Sequence, residues 1–428
     1  MVQNVAEFQA QAAPAPPKAL VDPAHNGVGA ACDPFSWKID AMWDRVAQAQ
    51  EDNTYYYFQP VEELDGPWVI TEGKRKLMFA TYTYLGLLNH PRIVAAAKAA
   101  TDKYGAGTHG VRILGGTLDM HAQMERTIAE FVGRDDAIVY SSGYVTNLAT
   151  ISTLVGRGDC VFSNKWNHAS IVDGCVLARG EFKRFRHNDI DDLERQLRRA
   201  PESAGKLVVA DAVFSMDGDI FNLPDAVELC HRYNAWLMVD EAHSLGVLGA
   251  TGRGIEEHFD MPGCIDVKMG TLSKTIPGVG GYIAGDHKLI TFLRHTARAF
   301  VFSAALPPSV AGAIIEAFHV LEDEAVERKE ILSRNVRHFI DGLQAVGFDT
   351  GVTVTPIVPI MVGKEGTAMQ MTKYCQDHGV FVLPVLPPAV QEGAARLRAN
   401  VTAAHSIADI DFALDIFTAA GREAGVIG

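Results

Sequence analysis

Between residues 137 and 285 short extended runs alternate with loops and helical stretches, without an internal sequence repeat. The runs are AIVYSSG (137–143), DCVFSN (159–164), FKRFRHN (182–188), KLVVADAVFS (206–215), AWLMVDEAHS (235–244), VKMGTLS (267–273) and GGYIAG (280–285). Most are continuously apolar, which reads as strands buried on both faces by the helices between them. That restricts the chain to an α/β architecture with a mostly parallel central sheet. In such sheets ligands lie beyond the carboxyl ends of the strands. Gly143, Ser215, Asp240 and Lys274 all fall at or just past those ends, so the topology allows them one pocket.

Lys274 stands within VKMGTLSKTIPGVGGYIAG, after Thr271 and Ser273 and before Gly278, Gly280 and Gly281. A lone Ser-Lys in a loop is usually a surface lysine. Asp240, at the end of the apolar run WLMVD, changes that reading. A lysine amine forms a Schiff base with an aldehyde cofactor, while hydroxyls and backbone N–H groups hold a phosphate. A buried acid then keeps a pyridine nitrogen protonated. The pair therefore predicts a site for pyridoxal 5'-phosphate (PLP). His243 is suited to donate to the ring's phenolic oxygen. SSGYVTN (141–147), at a strand-to-helix junction, offers the N–H groups of Gly143 and Tyr144 to the phosphate. His168, in NKWNHASIVDG, is the aromatic best placed to cover the ring, although an isolated histidine is more often a cap or a core residue.

The remainder frames this unit. Residues 1–32, rich in Ala and Pro, read as a flexible arm, and Asp33–Gln50 has helical spacing through Trp37, Ile39, Met42, Trp43 and Val46. Residues 55–81 read as two short strands with a turn. Helices are expected at Arg92–Lys103 and Leu118–Phe131, flanking the Gly-rich loop 105–116 that contains Arg112. Ala311–Ala345 is a long helix, with EDEAVERKE as a solvated face. TPIVPIMVG, VFVLPVLPP and ARLRANVT then alternate with helices as a smaller α+β C-terminal domain. The expected division is 1–54 (arm and helix), 55–310 (large domain) and 311–428 (C-terminal domain). A net charge of −14 argues against nucleic acid or an anionic membrane as the main partner. The six cysteines show no paired spacing, which reads as reduced thiols with neither disulfide nor metal. The start lacks the features of a signal peptide and no apolar run reaches membrane-span length, so a cytoplasmic protein is expected.

From Tyr57 onward the sequence resembles the α-oxoamine synthases, PLP enzymes of aspartate-aminotransferase-like fold (fold type I). YLGLLNHP, GTHGVRILGGT, SSGYVTN, NHASIVDG, VFSMDGD, VDEAHSLGVLGATGRG, GTLSKTIPGVGG, FSAALPPS and RLR carry the resemblance. It implies a homodimer with shared active sites that condenses an amino acid with an acyl thioester, on CoA or an acyl carrier protein, and releases CO2. By the same resemblance Lys274 holds the cofactor and moves the α-proton, Asp240 pairs with the ring nitrogen, and His243 with the phenolic oxygen. His168 stacks on the ring and orients the substrate, and Ser215 lies near it. Gly143, Tyr144, Thr271 and Ser273 hold the phosphate, and Ser303 reaches the partner subunit's cofactor. Arg398 binds the amino acid carboxylate, with Thr83 and Arg112 as further substrate contacts.

FRHND, KLVV, FSMDGD and the ending GREAGVIG are similar to the bacterial serine palmitoyltransferases. Two positions depart from the pattern: Thr83 stands where most members have Asn, and Leu386 where palmitoyltransferases have Arg before the double proline. The start YYYFQPV is similar to members from polyketide and alkaloid pathways, which leaves a different amino acid or a carrier-bound acyl chain open. An aminotransferase of the same fold is the remaining alternative.

Overall fold

The computed structural model describes residues 35–428, so the expected arm 1–32 lies outside the described residues. The first strands are β1 (Glu63–Asp65), β2 (Trp68–Thr71) and β3 (Lys74–Met78). The central series is β4 (Asp136–Tyr140), β5 (Cys160–Asn164), β6 (Glu181–Phe185), β7 (Lys206–Asp211), β8 (Trp236–Asp240), β9 (Val267–Ser273) and β10 (Pro277–Gly285). The last are β11 (Ile357–Gly363), β12 (Val380–Phe381), β13 (Pro384–Val385) and β14 (Ala395–Asn400).

The central sheet has the order β4-β10-β9-β8-β7-β5-β6. β5 to β9 pair in parallel, and β10 alone runs antiparallel to both its neighbours. The connection from β9 to β10 is too short for a crossover, so the chain must turn back as a hairpin. Alternate residues of each strand feed opposite cores, as the period of two demands. Val208, Ala210, Leu237 and Val239 join the core that includes Ile314 and Phe318 of the helix Pro308–Ala345. Leu207, Val209, Met238 and Met269 join the core under the helices Gly143–Leu154, Ala169–Leu177 and His287–Thr296. The sheet is thus covered on both faces, which is why its strands lack polar alternation.

The C-terminal part has the antiparallel sheet β11-β14-β13, and β12 pairs in parallel with β3 to complete the sheet β1-β2-β3-β12. The long helix spans both parts. Its second half places Phe339 against Phe79, with ring centroids 5.2 Å apart.

Two expectations change here, and one expected helix forms apart from the core. Residues 55–81 hold three strands, not two, because Gly66 and Gly73 each take positive φ and make two tight turns. The charged run EDEAVERKE is not simply solvated. Glu324 lies 3.2 Å from His90, Arg328 donates to the Leu85 carbonyl, and Lys329 donates to that of Gly249. The helix Ser36–Glu51 buries none of its side chains; Ile39, Met42 and Trp43 are all more than half exposed.

Candidate active site

β8 ends on Asp240 and β9 leads into Lys274, and the two strands are neighbours in the sheet. The parallel ladder therefore delivers both groups to one end. Lys274 is partly buried, with Nζ 3.0 Å from His243 Nε2. Burial lowers the pKa of the amine, against the opposing charge of Asp240. The neutral, nucleophilic form gains population accordingly. His243 is buried, and its pKa sits well below the ordinary value, through burial first and the Lys274 charge second. The Tyr84 hydroxyl lies 2.6 Å from His243 Nδ1, and burial raises its own pKa, so it remains a phenol. A Tyr84 hydroxyl that donates to Nδ1 places the single imidazole proton on Nε2, facing the lysine; the opposite tautomer would have Tyr84 accept.

Asp240 is buried, accepting from the Ala242 N–H at 2.9 Å and from Asn147 Nδ2 at 2.7 Å. Burial raises its pKa, opposed by Lys274 and by these two donors. Asn147 Nδ2 also donates to Ser170 Oγ at 2.9 Å, and that hydroxyl lies 2.8 Å from His168 Nδ1. One line of hydrogen bonds thus runs from Asp240 to His168. His168 caps the helix Ala169–Leu177, and its pKa is lowered to about 3 by burial and then by Lys274. Asp211 pairs with Asp240 across β7 and β8, and its Oδ2 accepts the His168 N–H at 2.8 Å. Burial, then the Asp240 charge, raises its pKa well above the carboxylate range. Asn147 and Asp211 are absent from the sequence-predicted set. Both left a signal: Asn147 closes SSGYVTN, and Asp211 ends an apolar run just as Asp240 does.

At the other side, Ser142 caps the helix Gly143–Leu154 by accepting the Val145 N–H at 3.1 Å. Among the described residues the N–H groups of Gly143 and Tyr144 meet no protein acceptor. Thr271 Oγ1 lies against this junction and 3.1 Å from Ser273 Oγ. A Cβ on Gly143 would fall 2.7 Å from Thr271 Oγ1, so only glycine admits the hydroxyl. The Tyr144 hydroxyl donates to Asp173, and the Tyr144 ring meets that of His168 edge-on at 6.2 Å.

Arg398 reaches in from β14. Nη1 donates to the Ser215 carbonyl at 3.0 Å, and Nη2 to the Tyr82 hydroxyl. Tyr82, which sequence reasoning passed over, has Lys274 Nζ 5.6 Å and the Arg398 guanidinium 5.1 Å from its ring centroid. Burial pushes its pKa up, but Arg398 and Lys274 together outweigh this and lower it. Thr83, between Tyr82 and Tyr84, turns its hydroxyl to Thr81 Oγ1 at 3.0 Å.

Two predicted groups are not brought to this cluster within one chain. Arg112 grips the Glu125 carboxylate with both terminal nitrogens at 3.0 Å, and its Nε donates to Thr117, so its charge is already met within the chain and a substrate carboxylate contact is not supported. Ser303 lines a separate small cavity with Arg112, His121 and Ser141. Leu386 directly follows β13, whose Val385 pairs with Arg396.

PLP presents an aldehyde, a ring nitrogen that needs an acid, a phenolic oxygen and a phosphate. The residues fit each in turn: a desolvated amine, a buried carboxylate, an imidazole N–H, and an open helix N-terminus beside two hydroxyls. The comparisons agree. The model of the family "Aminotransferase class I and II" matches residues 74–417. The chain is 44% identical over 374 residues to an 8-amino-7-oxononanoate synthase of Symbiobacterium thermophilum, covering 86% of this chain and 95% of that protein. It is 40% identical to a serine palmitoyltransferase of Sphingobacterium spiritivorum, covering 86% and 92%. The solved serine palmitoyltransferase of S. paucimobilis with a bound PLP–myriocin aldimine superposes with a TM-score of 0.89 at 37% identity, covering 92% of this chain and all of that one. The chain therefore belongs to the aminotransferase class I and II family and, within it, to the α-oxoamine synthases, PLP-dependent acyltransferases that condense an amino acid with an acyl thioester and release CO2.

Proposed function

We propose that the chain joins the Cα of a free α-amino acid to the acyl group of a thioester on CoA or an acyl carrier protein, with Arg398 as the carboxylate holder and Lys274 as the proton carrier. The observation that carries this reading is the amine of Lys274, desolvated and 3.0 Å from a neutral His243. Lys274, Asp240 and His243 would hold PLP at its aldehyde carbon, ring nitrogen and phenolic oxygen. Gly143, Tyr144, Thr271 and Ser273 would hold its phosphate. When bound, PLP supplies an electron sink for the bonds broken at the amino acid Cα. Lys274 Nζ, depressed in basicity yet still a base, takes the α-proton. His243 keeps its N–H on the pocket side because Tyr84 occupies Nδ1. His168 shields the ring face and, uncharged, leaves the substrate carboxylate to the Arg398 guanidinium. Ser215 stands beside Arg398.

A panel of amino acids, each given with an acyl-CoA or an acyl carrier protein thioester, tests the reading. Free thiol and CO2 released in equal amounts support it; an oxo acid formed without CO2 indicates transamination instead. Replacing Arg398 by alanine removes a charge-assisted bidentate contact of about 1.5–3 kcal/mol. The expected result is a roughly ten- to hundredfold rise in amino acid Kd, with PLP still bound. Arg398→Lys should recover only part, since an ammonium cannot reproduce the fork.

The same reading includes a homodimer whose sites are shared. Its support is an apolar surface around Ser303 and the Gly-rich loop: Leu114 is 80% and Phe302 73% exposed. Mixing a Lys274→Ala chain with an inactive Ser303 variant should restore activity once subunits exchange. Persistent inactivity after demonstrated exchange counts against shared sites. No helix among the described residues is long and apolar enough to cross a membrane; the reading places the enzyme in the cytoplasm. The reading keeps the division at residues 55 and 310, with Arg398 in the C-terminal domain and the β3–β12 pairing joining the two parts.

A further inference from the structure

Both arginines of RLR reach one loop, and only the second belongs to the proposed substrate site. Arg396 and Arg398 are alternate residues of β14, so their side chains leave the same face. Arg398 Nη1 donates to the Ser215 carbonyl at 3.0 Å. Arg396 Nη1 donates to the next carbonyl, that of Met216, at 3.3 Å, and to Asp217 Oδ1 at 2.5 Å. Strand and loop run in opposite senses and are buttoned at successive residues.

Arg396 is buried, at 5% exposure, and Asp217 is partly so. The pair holds the loop firmly, because removing Asp217 leaves the buried Arg396 guanidinium without its counter-charge. The loop is pinned beyond Asp217 as well. The Gly218 carbonyl accepts from Thr353 and Thr355, and Asp219 accepts from Asn188 Nδ2 at 2.9 Å and lies 2.7 Å from His187 Nε2. Gly218 has φ +71°, and a Cβ there would fall 2.3 Å from Thr353 Oγ1, so the loop has no room to shift. Among the described residues neither Arg396 nor Asp217 bonds to Lys274, Asp240, His243 or His168.

We propose that Asp217 and Arg396 are positioning residues for Arg398: their ion pair fixes the Ser215 carbonyl, and that carbonyl aims the guanidinium at the amino acid carboxylate. The inference rests on the proposed role of Arg398. It follows that the pair acts on carboxylate recognition and leaves recognition of the amine and the cofactor alone.

The test titrates the absorbance of the PLP-loaded protein with L-serine and, separately, with ethanolamine, which is serine without its carboxylate. Asp217→Asn is expected to raise the L-serine Kd by roughly tenfold, as loss of an orienting partner does elsewhere. The ethanolamine Kd and the resting absorbance should stay unchanged, and Asp217→Glu should restore part of the loss. Arg396→Lys provides the same readout if Asp217→Asn does not yield folded protein. Equal weakening of L-serine and ethanolamine overturns the proposal, as does an unchanged L-serine Kd. Arg398→Ala, measured in parallel, separates the two layers. If it too leaves L-serine binding unchanged, the reading of Arg398 is at fault; if it alone weakens binding, only the positioning role is.

Discussion

Lys274→Ala is expected to lower turnover by at least roughly 10²- to 10⁴-fold, the contribution of a positioned proton carrier alone. The lysine also anchors the cofactor, so the observed loss should reach or exceed the upper end of that range. Its neighbours do not replace it. His243 is held neutral by burial, with Nδ1 occupied by Tyr84, and His168 is lowered to about 3 and serves as a helix cap. Thiol release from the acyl thioester measures the effect. A second readout is independent of activity: borohydride should add the mass of reduced PLP to the wild-type peptide containing Lys274 and to no peptide of the variant. Turnover within tenfold of wild type would end the assignment.

Asp240→Asn is the other large expected effect. A carboxylate about 4 Å from a cationic ring nitrogen contributes about 4 kcal/mol at an effective dielectric of about 20, which corresponds to roughly a thousandfold in rate if the ring's cationic form is lost. Asp211 is no substitute, since burial and the neighbouring Asp240 charge raise its pKa and favour its uncharged form. The pH dependence carries a sign. Burial raises the Asp240 pKa, so in cofactor-free protein the carboxyl takes a proton at a higher pH than an exposed aspartate does. A protonated carboxyl has no charge to offer a cationic ring. Wild-type affinity for PLP should therefore fall as pH drops through that raised pKa, and the Asn variant should lack this dependence. Fluorescence titration with PLP between about pH 4 and pH 8 decides it. A variant that keeps the wild-type pH profile and turnover would show that the ring nitrogen is served elsewhere.

The parts of this site that could be read from the residues are those in which one stretch of chain carries both the structure and the chemistry. Asp240 and Lys274 each end an apolar strand, and Gly143 opens a helix after one, so their proximity follows from topology alone. The groups that escaped depend on distant partners. Arg112 looked available in a glycine-rich loop, but Glu125, nearly two turns into the next helix, already pairs with its guanidinium. Tyr82 and Tyr84 are unremarkable in TYTYLG until the fold sets them against Arg398 and His243. Asp211 repeats the pattern of Asp240, yet only the β7–β8 register shows that the two carboxyls stand side by side. Strand content was legible from apolar runs, whereas strand order was not. Period and composition say nothing about β10 slipping between β4 and β9, nor about β12 leaving its own domain to pair with β3.

The β9–β10 hairpin bears on how the chain tolerates changes of length. Only Lys274, Thr275 and Ile276 separate the two strands, and the register already shifts between Pro277 and Gly281. One inserted residue would slide β10 by a step and turn each of its side chains to the opposite core. Tyr282, now packed over Gly270, would change places with Ile283, and Gly281 would lose its seat against Gly143. The amine would move with them. By contrast, Gly66, at the tip of the β1–β2 turn, has nothing within 4 Å of where a side chain would begin. A tag, reporter or loop graft belongs at that turn, whereas the three residues that start with the lysine set a fixed gauge for the sheet.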